Sequence, residues 1–440
     1  MSHNPRHRRP GPWRRPDFLK LWTGQTVSKA GTLVTEFALP LAAILTLHAS
    51  AAQVAVLTGA GIVPRLALGL FAGVWVDRAR RRPLMIAADV GRAVIIGSVP
   101  VAALLRSLRI EQLYLVALVA SALSTLFDVA YPTYLPSLVP PDELVGANSL
   151  LEASGAVAEV AGFGGAGALT QALTAPIALA VDAVSYVVSA LSLALIRTRE
   201  PKPERALRLR EGEPERGWAV WREMGEGLRL LVHDPVARAL VGASGVFDLF
   251  GGMIGVVLML YLVRGAHLSP VALGVVFGVG GVSAFAGTLL VGRAMRRLGI
   301  GWTVIGGLAI YTSSALLLPL ASGPAWLALS LLTLAQLADC ASTVYAVGRA
   351  SLLQSLTVPQ TLGRVHAGMQ MVESLTSLVG VVLGGVLGET LGPRAALFLA
   401  VGGLLLAPLW LARSPLRHMR ALPAPAPEQE QVSVAPIVRA

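Results

Sequence analysis

The sequence predicts an all-α polytopic membrane protein, with twelve transmembrane helices in two repeated halves of six. Three observations predict it. First, 54% of the 440 residues are hydrophobic and 14% are charged, against roughly 25% charged in soluble domains. Mean hydropathy is +0.67. A soluble fold would lack the polar surface it needs, whereas a helical membrane protein satisfies its backbone internally. Second, the chain divides into twelve long apolar runs joined by turns that alternate between arginine-rich and arginine-poor. Third, the sequence aligns on itself at an offset of 218. Ser137-Leu138 falls on Ser355-Leu356, Pro141 on Pro359, Leu144 on Leu362, and Gly162 and Gly167 fall on Gly380 and Gly385. Gly69 and Arg78 fall on Gly287 and Arg296, and Met295 then stands where Asp77 would map.

In order, residues 1–16 are a basic, proline-broken tail. The first half, 17–197, holds runs at about 21–47, 54–76, 83–105, 112–135, 148–171 and 176–196. No cleavable signal is expected, because the first apolar run is too long for one. Residues 198–235 break the pattern: they are charged and proline-containing, and Trp218, Trp221, Met224, Leu228, Leu231 and Val232 recur at helical spacing. That spacing predicts an amphipathic helix lying on the membrane surface. The second half, 236–413, adds runs at about 236–263, 271–292, 302–320, 325–348, 366–390 and 395–413, and a proline-rich tail of 414–440 follows. Only Arg106, Arg109, Arg264 and Arg394 of the 36 lysines and arginines fall in turns assigned to the outside. The positive-inside bias therefore places both termini in the cytoplasm. It also explains the net charge of +11 by topology and anionic lipid headgroups rather than by nucleic acid.

The turn that fixes this orientation is Gly73 to Met85, GVWVDRARRRPLM. Each arginine or aspartate at mid-bilayer would cost about 2.5–3.5 kcal/mol, so the flanking runs must end here. The pattern G-x-x-x-D-R-x-x-R-R resembles the loop between helices 2 and 3 of the major facilitator superfamily of secondary transporters. Gly73, Asp77, Arg78, Arg81 and Arg82 match it, and Arg80 stands where the general signature has glycine. Arginine there is shared with a subgroup that includes the enterobactin exporter and macrolide-efflux proteins. The resemblance covers about residues 17–413. It implies two pseudo-symmetric six-helix bundles, and a conformational latch in which Asp77 faces the N-terminal end of helix 11, near Gly363 to Ala367, in the outward-facing state.

The coupling candidates are acids inside runs, since a carboxyl group withdrawn from water favours its neutral form and can carry a proton. Glu36, Asp248 and Asp339 stand first, on helices that face the central cavity in the superfamily layout. Asp128, near Pro132 and able to pair with Arg65 or Arg92, and Asp182, within DAVSY, follow. Asp89 has Arg92 one turn along, which reads as a structural pair; Glu152 and Glu373 lie near the inner surface, and Glu159 completes the set. The glycine rows Gly162, Gly167, Gly380 and Gly385 are expected to let helices 5 and 11 pack closely between the halves. Two departures from the family's exporters stand out: Phe163, not proline, follows Gly162, and Thr32 follows Ser28-Lys29-Ala30-Gly31 where the subgroup often has an acid.

The sequence has no Walker A loop, no zinc-type cluster of His and Cys, and a lone cysteine, Cys340, so no metal, cofactor or intramolecular disulfide is expected. The resemblance implies a non-enzymatic, monomeric transporter in a bacterial inner membrane. It would export an amphipathic small molecule (a drug, macrolide or siderophore) in exchange for protons, with the proton gradient as the energy source. The alternatives are an importer of a nutrient or siderophore on the same fold, and a non-transporting membrane sensor. Alanine-, glycine- and arginine-rich usage fits a bacterial source.

Overall fold

The computed structural model describes residues 12–198, 200, 225, 229, 232–357 and 361–422, and only the backbone of residues 12 and 69–78. The surface helix expected around Trp218 to Leu231 falls almost entirely outside the described residues, as do most of both tails. Among the described residues the long helices are twelve: α1 (Pro16–Leu41, prolonged by a π turn at Ala42–Thr46), α2 (Ala51–Arg78), α3 (Arg81–Leu104), α4 (Ile110–Tyr134), α5 (Leu144–Leu173) and α6 (Ala175–Ala194). Then come α7 (Pro235–Leu260, prolonged by a π turn at Tyr261–Gly265), α8 (Pro270–Leu298), α9 (Ile300–Ser314), α10 (Ala325–Leu356), α11 (Leu362–Thr390) and α12 (Pro393–Ala412).

Eleven of these, among the described residues, are long and apolar enough to cross a bilayer by composition alone. The exception is α5. Its glycines and its two acids, Glu152 and Glu159, dilute its apolarity, and its place explains why that is tolerated. It packs against α1 in its own half and α8 in the other, and its buried residues are all small, Ala147, Ala158, Gly162, Ala166, Gly167 and Thr170. Outward-facing Val94, Leu104, Val184, Leu289, Ile310 and Leu409 are exposed, as an apolar lipid-facing surface requires. The α10 run extends past the expected 348 to Leu356, with an interruption at Ala338.

The repeat is visible in the backbone. Pro16 and Pro235, Ala51 and Pro270, and Arg81 and Ile300 begin equivalent helices 219 residues apart, and Leu144 and Leu362, and Ala175 and Pro393, begin theirs 218 apart. The offset thus slips by one inside each half. As a result Arg296, rather than Met295, stands opposite Asp77. Both α1 and α7 end in a π turn followed by a histidine in the left-handed region, His48 and His267, each at φ 52.

Each half is held as a unit at the end where α1 begins and α12 stops. Asp17 accepts from the amides of Arg197 and Thr198 at 3.1 and 2.9 Å and from Lys20 at 2.7 Å, tying the start of α1 to the end of α6. Arg15 forks onto Glu143, just before α5, at 2.8 and 3.2 Å. In the second half Asp234 caps α7 through the amides of Val236 and Ala237. The amides of Ile300 and Gly301 donate to Arg420 and Met419, docking the chain after α12 against α9.

The halves meet at the opposite end. There α5 packs on α8 and α2 on α11. Gly167 and Gly274 approach so closely that a Cβ on Gly274 would lie 2.8 Å from the Gly167 Cα and 2.6 Å from the Phe163 carbonyl oxygen. Gly385 makes the equivalent approach to Ala55 and Ala52 of α2. Gly162 and Gly380 do something different: they admit Leu33 of α1 and the Leu249 backbone of α7, each within its own half. Of the four glycines expected between the halves, two lie there, and the repeat preserves the division.

Candidate functional site

Two cavities stand out, one within the first bundle and one between the second bundle and α5. The first, 490 Å³, is walled by α1, α2, α3, α4 and α6 and carries Lys29, Glu36, Arg65, Arg92 and Asp128. Glu36 lies within electrostatic reach of Lys29, Arg65 and Glu159, and Asp128 within reach of Arg92, Arg65 and Lys29. Arg92 is buried, bound to Asp89 one turn away, and lies over the rings of Phe127 at 4.6 Å and Tyr186 at 4.2 Å. Stacking of this kind suits a delocalised guanidinium.

The second cavity, 600 Å³, is walled by α7 to α10 with α5 crossing from the other half. It carries Asp339, Glu159 and Gln336 among Phe163, Phe277 and Tyr311. Gln336 donates to Asp339 at 3.3 Å. Asp339 stands at the interruption of α10, where two backbone groups lose their helical partners. Ser283 of α8 supplies both: its hydroxyl donates to the Leu337 carbonyl at 2.6 Å and accepts from the Cys340 amide at 3.1 Å. Gly280 lacks a Cβ where one would collide with the Asp339 carboxylate and Gln336.

A third polar cluster lies across α7, α10 and α11. Arg349 donates to Ser244 and to Glu373, each at 2.5 Å, with Asp248 in electrostatic reach of both charged groups.

The five acids expected to carry chemistry are thus dispersed. Glu36 and Asp128 line the first cavity, and Asp339 lines the second. Asp248 belongs to the Arg349 cluster. Asp182 is fully buried between α1 and α6, where it accepts from Thr35 at 2.5 Å and Ser185 at 2.9 Å, and Gly31 makes room for it. Sequence reasoning gave no role to Arg349 or Gln336 and ranked Glu159 low. Arg349 had a signal, as a lone arginine just beyond an apolar run; Gln336 had none.

Of the arginine turn, the side chains of Gly73, Asp77 and Arg78 lie outside the described residues. Arg81 and Arg82 donate their backbone amides to Glu200 at 2.8 and 3.2 Å. The Arg82 side chain donates to the carbonyls of Leu193 and Ala194, at the C-terminal end of α6. Cations belong at such an end. At the far end the halves are tied by reciprocal contacts. Gln171, near the end of α5, accepts from the Val271 amide at the start of α8 at 3.2 Å. Glu389, its repeat counterpart near the end of α11, accepts from the Ala52 amide at the start of α2 at 3.4 Å. Arg264 of the α7 π turn donates to the carbonyls of Ile44 and Ala49 at 3.3 and 2.8 Å. Phe277 meets Phe37 and Phe163 from the other half at centroid distances of 6.3 and 6.0 Å. The cleft is therefore sealed on the far side, with Lys29, Glu36, Arg65, Asp128 and Glu159 exposed within it.

Comparison with known proteins agrees with this architecture. A family model described as Major Facilitator Superfamily matches residues 21–343. An uncharacterized MFS-type transporter, YfiS of Bacillus subtilis, is 28% identical over 406 residues, covering 88% of this chain and 90% of that protein. Macrolide efflux protein A of Streptococcus pyogenes is 26% identical over 235 residues, 52% of this chain and 55% of that protein. Among solved structures, a bacterial homologue of the iron transporter ferroportin in its inward-facing state has a TM-score of 0.69 at 19% identity, covering 90% of this chain and 98% of that one. Its outward-facing state scores 0.55 over the same coverage.

Proposed function

Because the chain belongs to the major facilitator superfamily, we propose that it is a secondary active transporter that exports an amphipathic small molecule in exchange for protons by alternating access. The observation that carries this reading is the arrangement of charge. Acids line a cavity in the first bundle and another shared by the second bundle and α5, and the halves are closed at the far end by contacts that a rocking motion of two rigid bundles would break together. The open end is the face of the arginine turn, which the positive-inside bias assigns to the cytoplasm; the structure then stands as the inward-facing, substrate-accepting state, monomeric in the inner membrane.

Glu36 is the first coupling group. It lines the cleft, and Lys29 and Arg65 beside it are cations that substrate or proton must compete with. Asp128 lines the same cavity and Asp339 the second, while Asp248 and Glu373 compete for Arg349. Asp182 tunes the α1–α6 contact rather than meeting substrate. In the outward-facing state Asp77 reaches the N-terminal end of α11, and Arg82 holds α6 in both states. The similarity to a macrolide efflux protein supports export of amphipathic compounds without fixing the substrate.

The test is loading of everted membrane vesicles with erythromycin, Hoechst 33342 or a ferric catecholate siderophore under an imposed proton gradient. Export predicts gradient-dependent loading of at least one, reduced at least about tenfold by Glu36→Gln, the loss expected when one charged partner is neutralised. Loading only in right-side-out vesicles would establish import instead. No flux of any compound, in protein shown to be folded, would remove the transporter reading.

A further inference from the structure

The two cavities differ in charge in a way that the repeat does not require. The first holds three cations, Lys29, Arg65 and Arg92, beside its two acids. The second is lined by Asp339 and Glu159 and, among the described residues, by no lysine, arginine or histidine. Asp339 and Glu159 lie within electrostatic reach of each other, so two acids share one cavity with no basic side chain on its wall among the described residues. Four rings, Phe163, Phe277, Phe285 and Tyr311, surround them. Two carboxylates in one aromatic cavity attract one chemistry above others: a positive charge carried on an apolar body, bound by ion pairing and by the negative faces of the rings.

We propose that the cavity between α5, α8 and α10 is the binding subsite for an organic cation, with its ammonium or phosphonium centre between Asp339 and Glu159 and its apolar body against Phe163, Phe277 and Tyr311. This deepens the transporter reading and rests on it. Two features of the fold serve such a site. The interruption of α10, held open by Ser283, turns Asp339 toward the cavity, and Gly280 leaves its carboxylate uncovered. The two acids also come from opposite bundles. Empty, they repel across the cleft; with a cation between them they draw α5 and α10 together, so occupancy bears on the same movement that opens and closes the cleft. In the first cavity the two acids already face fixed cations, Lys29 and Arg65, while Arg92 is bound to Asp89, so the same ligand finds no uncompensated carboxylate there.

The experiment is equilibrium binding of tritiated tetraphenylphosphonium to the full chain in nanodiscs, with neutral triphenylphosphine oxide as competitor. The wild-type protein is expected to bind the cation saturably, and the neutral compound to compete at least about tenfold more weakly, the factor that one lost charged contact supplies. Asp339→Asn and Glu159→Gln should each weaken binding about tenfold or more, and the double variant should abolish it. Gly280→Ala keeps both charges but displaces the Asp339 carboxylate; it should weaken binding while the thermal midpoint confirms folding. Saturable binding that neither acid variant alters, equal competition by the neutral compound, or no binding by folded wild-type protein would each overturn the subsite. If the cation fails to bind while a proton gradient still loads a neutral or anionic compound into everted vesicles, the subsite falls and the transporter reading stands. If the cation binds but no compound is moved, the subsite stands and the transporter reading falls.

Discussion

Replacing Gly274 with valine should open the sealed end of the cleft. A Cβ there would sit 2.6 Å from the Phe163 carbonyl oxygen and 2.8 Å from the Gly167 Cα, and both are backbone. Ordinary contact begins near 3.4 Å, so α5 and α8 must separate by the order of an ångström, because no flexible side chain can yield. Overpacking of this kind costs about 1–3 kcal/mol. The strain falls on the state with this end closed and is relieved when the halves part here. The equilibrium between the two states should therefore shift by a factor of about 5–150. Spin labels at Leu104 and Leu320, exposed near this end on opposite halves, would report it by pulsed electron resonance, with Cys340 replaced by serine. The variant should gain a longer-distance population. Gly306→Ala, at a position where an added Cβ meets open space, should leave the distribution as in the wild type. A folded Gly274→Val protein with an unchanged distance distribution and an unchanged melting midpoint would refute the reasoning.

Four further outcomes follow from particular contacts. Thr174 precedes α6 at φ 78 and ψ 152, a region that suits glycine, and its repeat counterpart is Gly392 at φ 85 and ψ 155. Relief of about 1–3 kcal/mol of strain, less about 0.5–1 for glycine's flexibility, should make Thr174→Gly melt a few degrees higher and Gly392→Thr lower; equal midpoints would show the conformation to be unstrained. Removing the charge from Glu389 at the start of α2 should weaken the far-end closure by about 0.3–1 kcal/mol, visible as a two- to five-fold gain in labelling of a far-end cysteine and absent in high salt. Asp89→Asn should destabilise the fold by about 3–5 kcal/mol, because it leaves the buried Arg92 without its countercharge; Asp128→Asn, in the open cleft, should cost far less in the same denaturation assay. Ser283→Ala strands the Leu337 carbonyl and Cys340 amide, at about 1–3 kcal/mol each, so hydrogen exchange at residues 338–341 should accelerate there before it does elsewhere in α10.

Much of this molecule was legible in the sequence because the deciding physics is local. Whether a segment sits in hydrocarbon depends on its own composition, so the number and order of the spans, and the turns that end them, could be read from apolar runs and arginines. The helix least legible by that rule, α5, is one of those that pack on both halves, where small residues serve close approach better than bulky apolar ones do. The Asp89–Arg92 pair was legible for the same reason, since three residues on a helix are neighbours whatever the fold.

The site was not legible to that degree. Whether an acid meets solvent, a cation or a neighbouring helix depends on how each helix is rotated about its axis and on what faces it from segments far away in sequence. Glu36 and Asp182 look alike as isolated acids in apolar runs, yet the cleft claims one and the α1–α6 packing claims the other. Arg349 finds Glu373 on a different helix, and Glu159 shares a cavity with Asp339 from the opposite half. Gly162 and Gly167 belong to one row, five residues apart; only the crossing of α5 over α8 separates them, leaving the first to pack within its bundle and the second to join the two. Composition and order along the chain therefore determined how many times it crosses and where each crossing stops. The packing of one helix against another decided which charges share the cleft, because that depends on distances between residues that the chain itself keeps far apart.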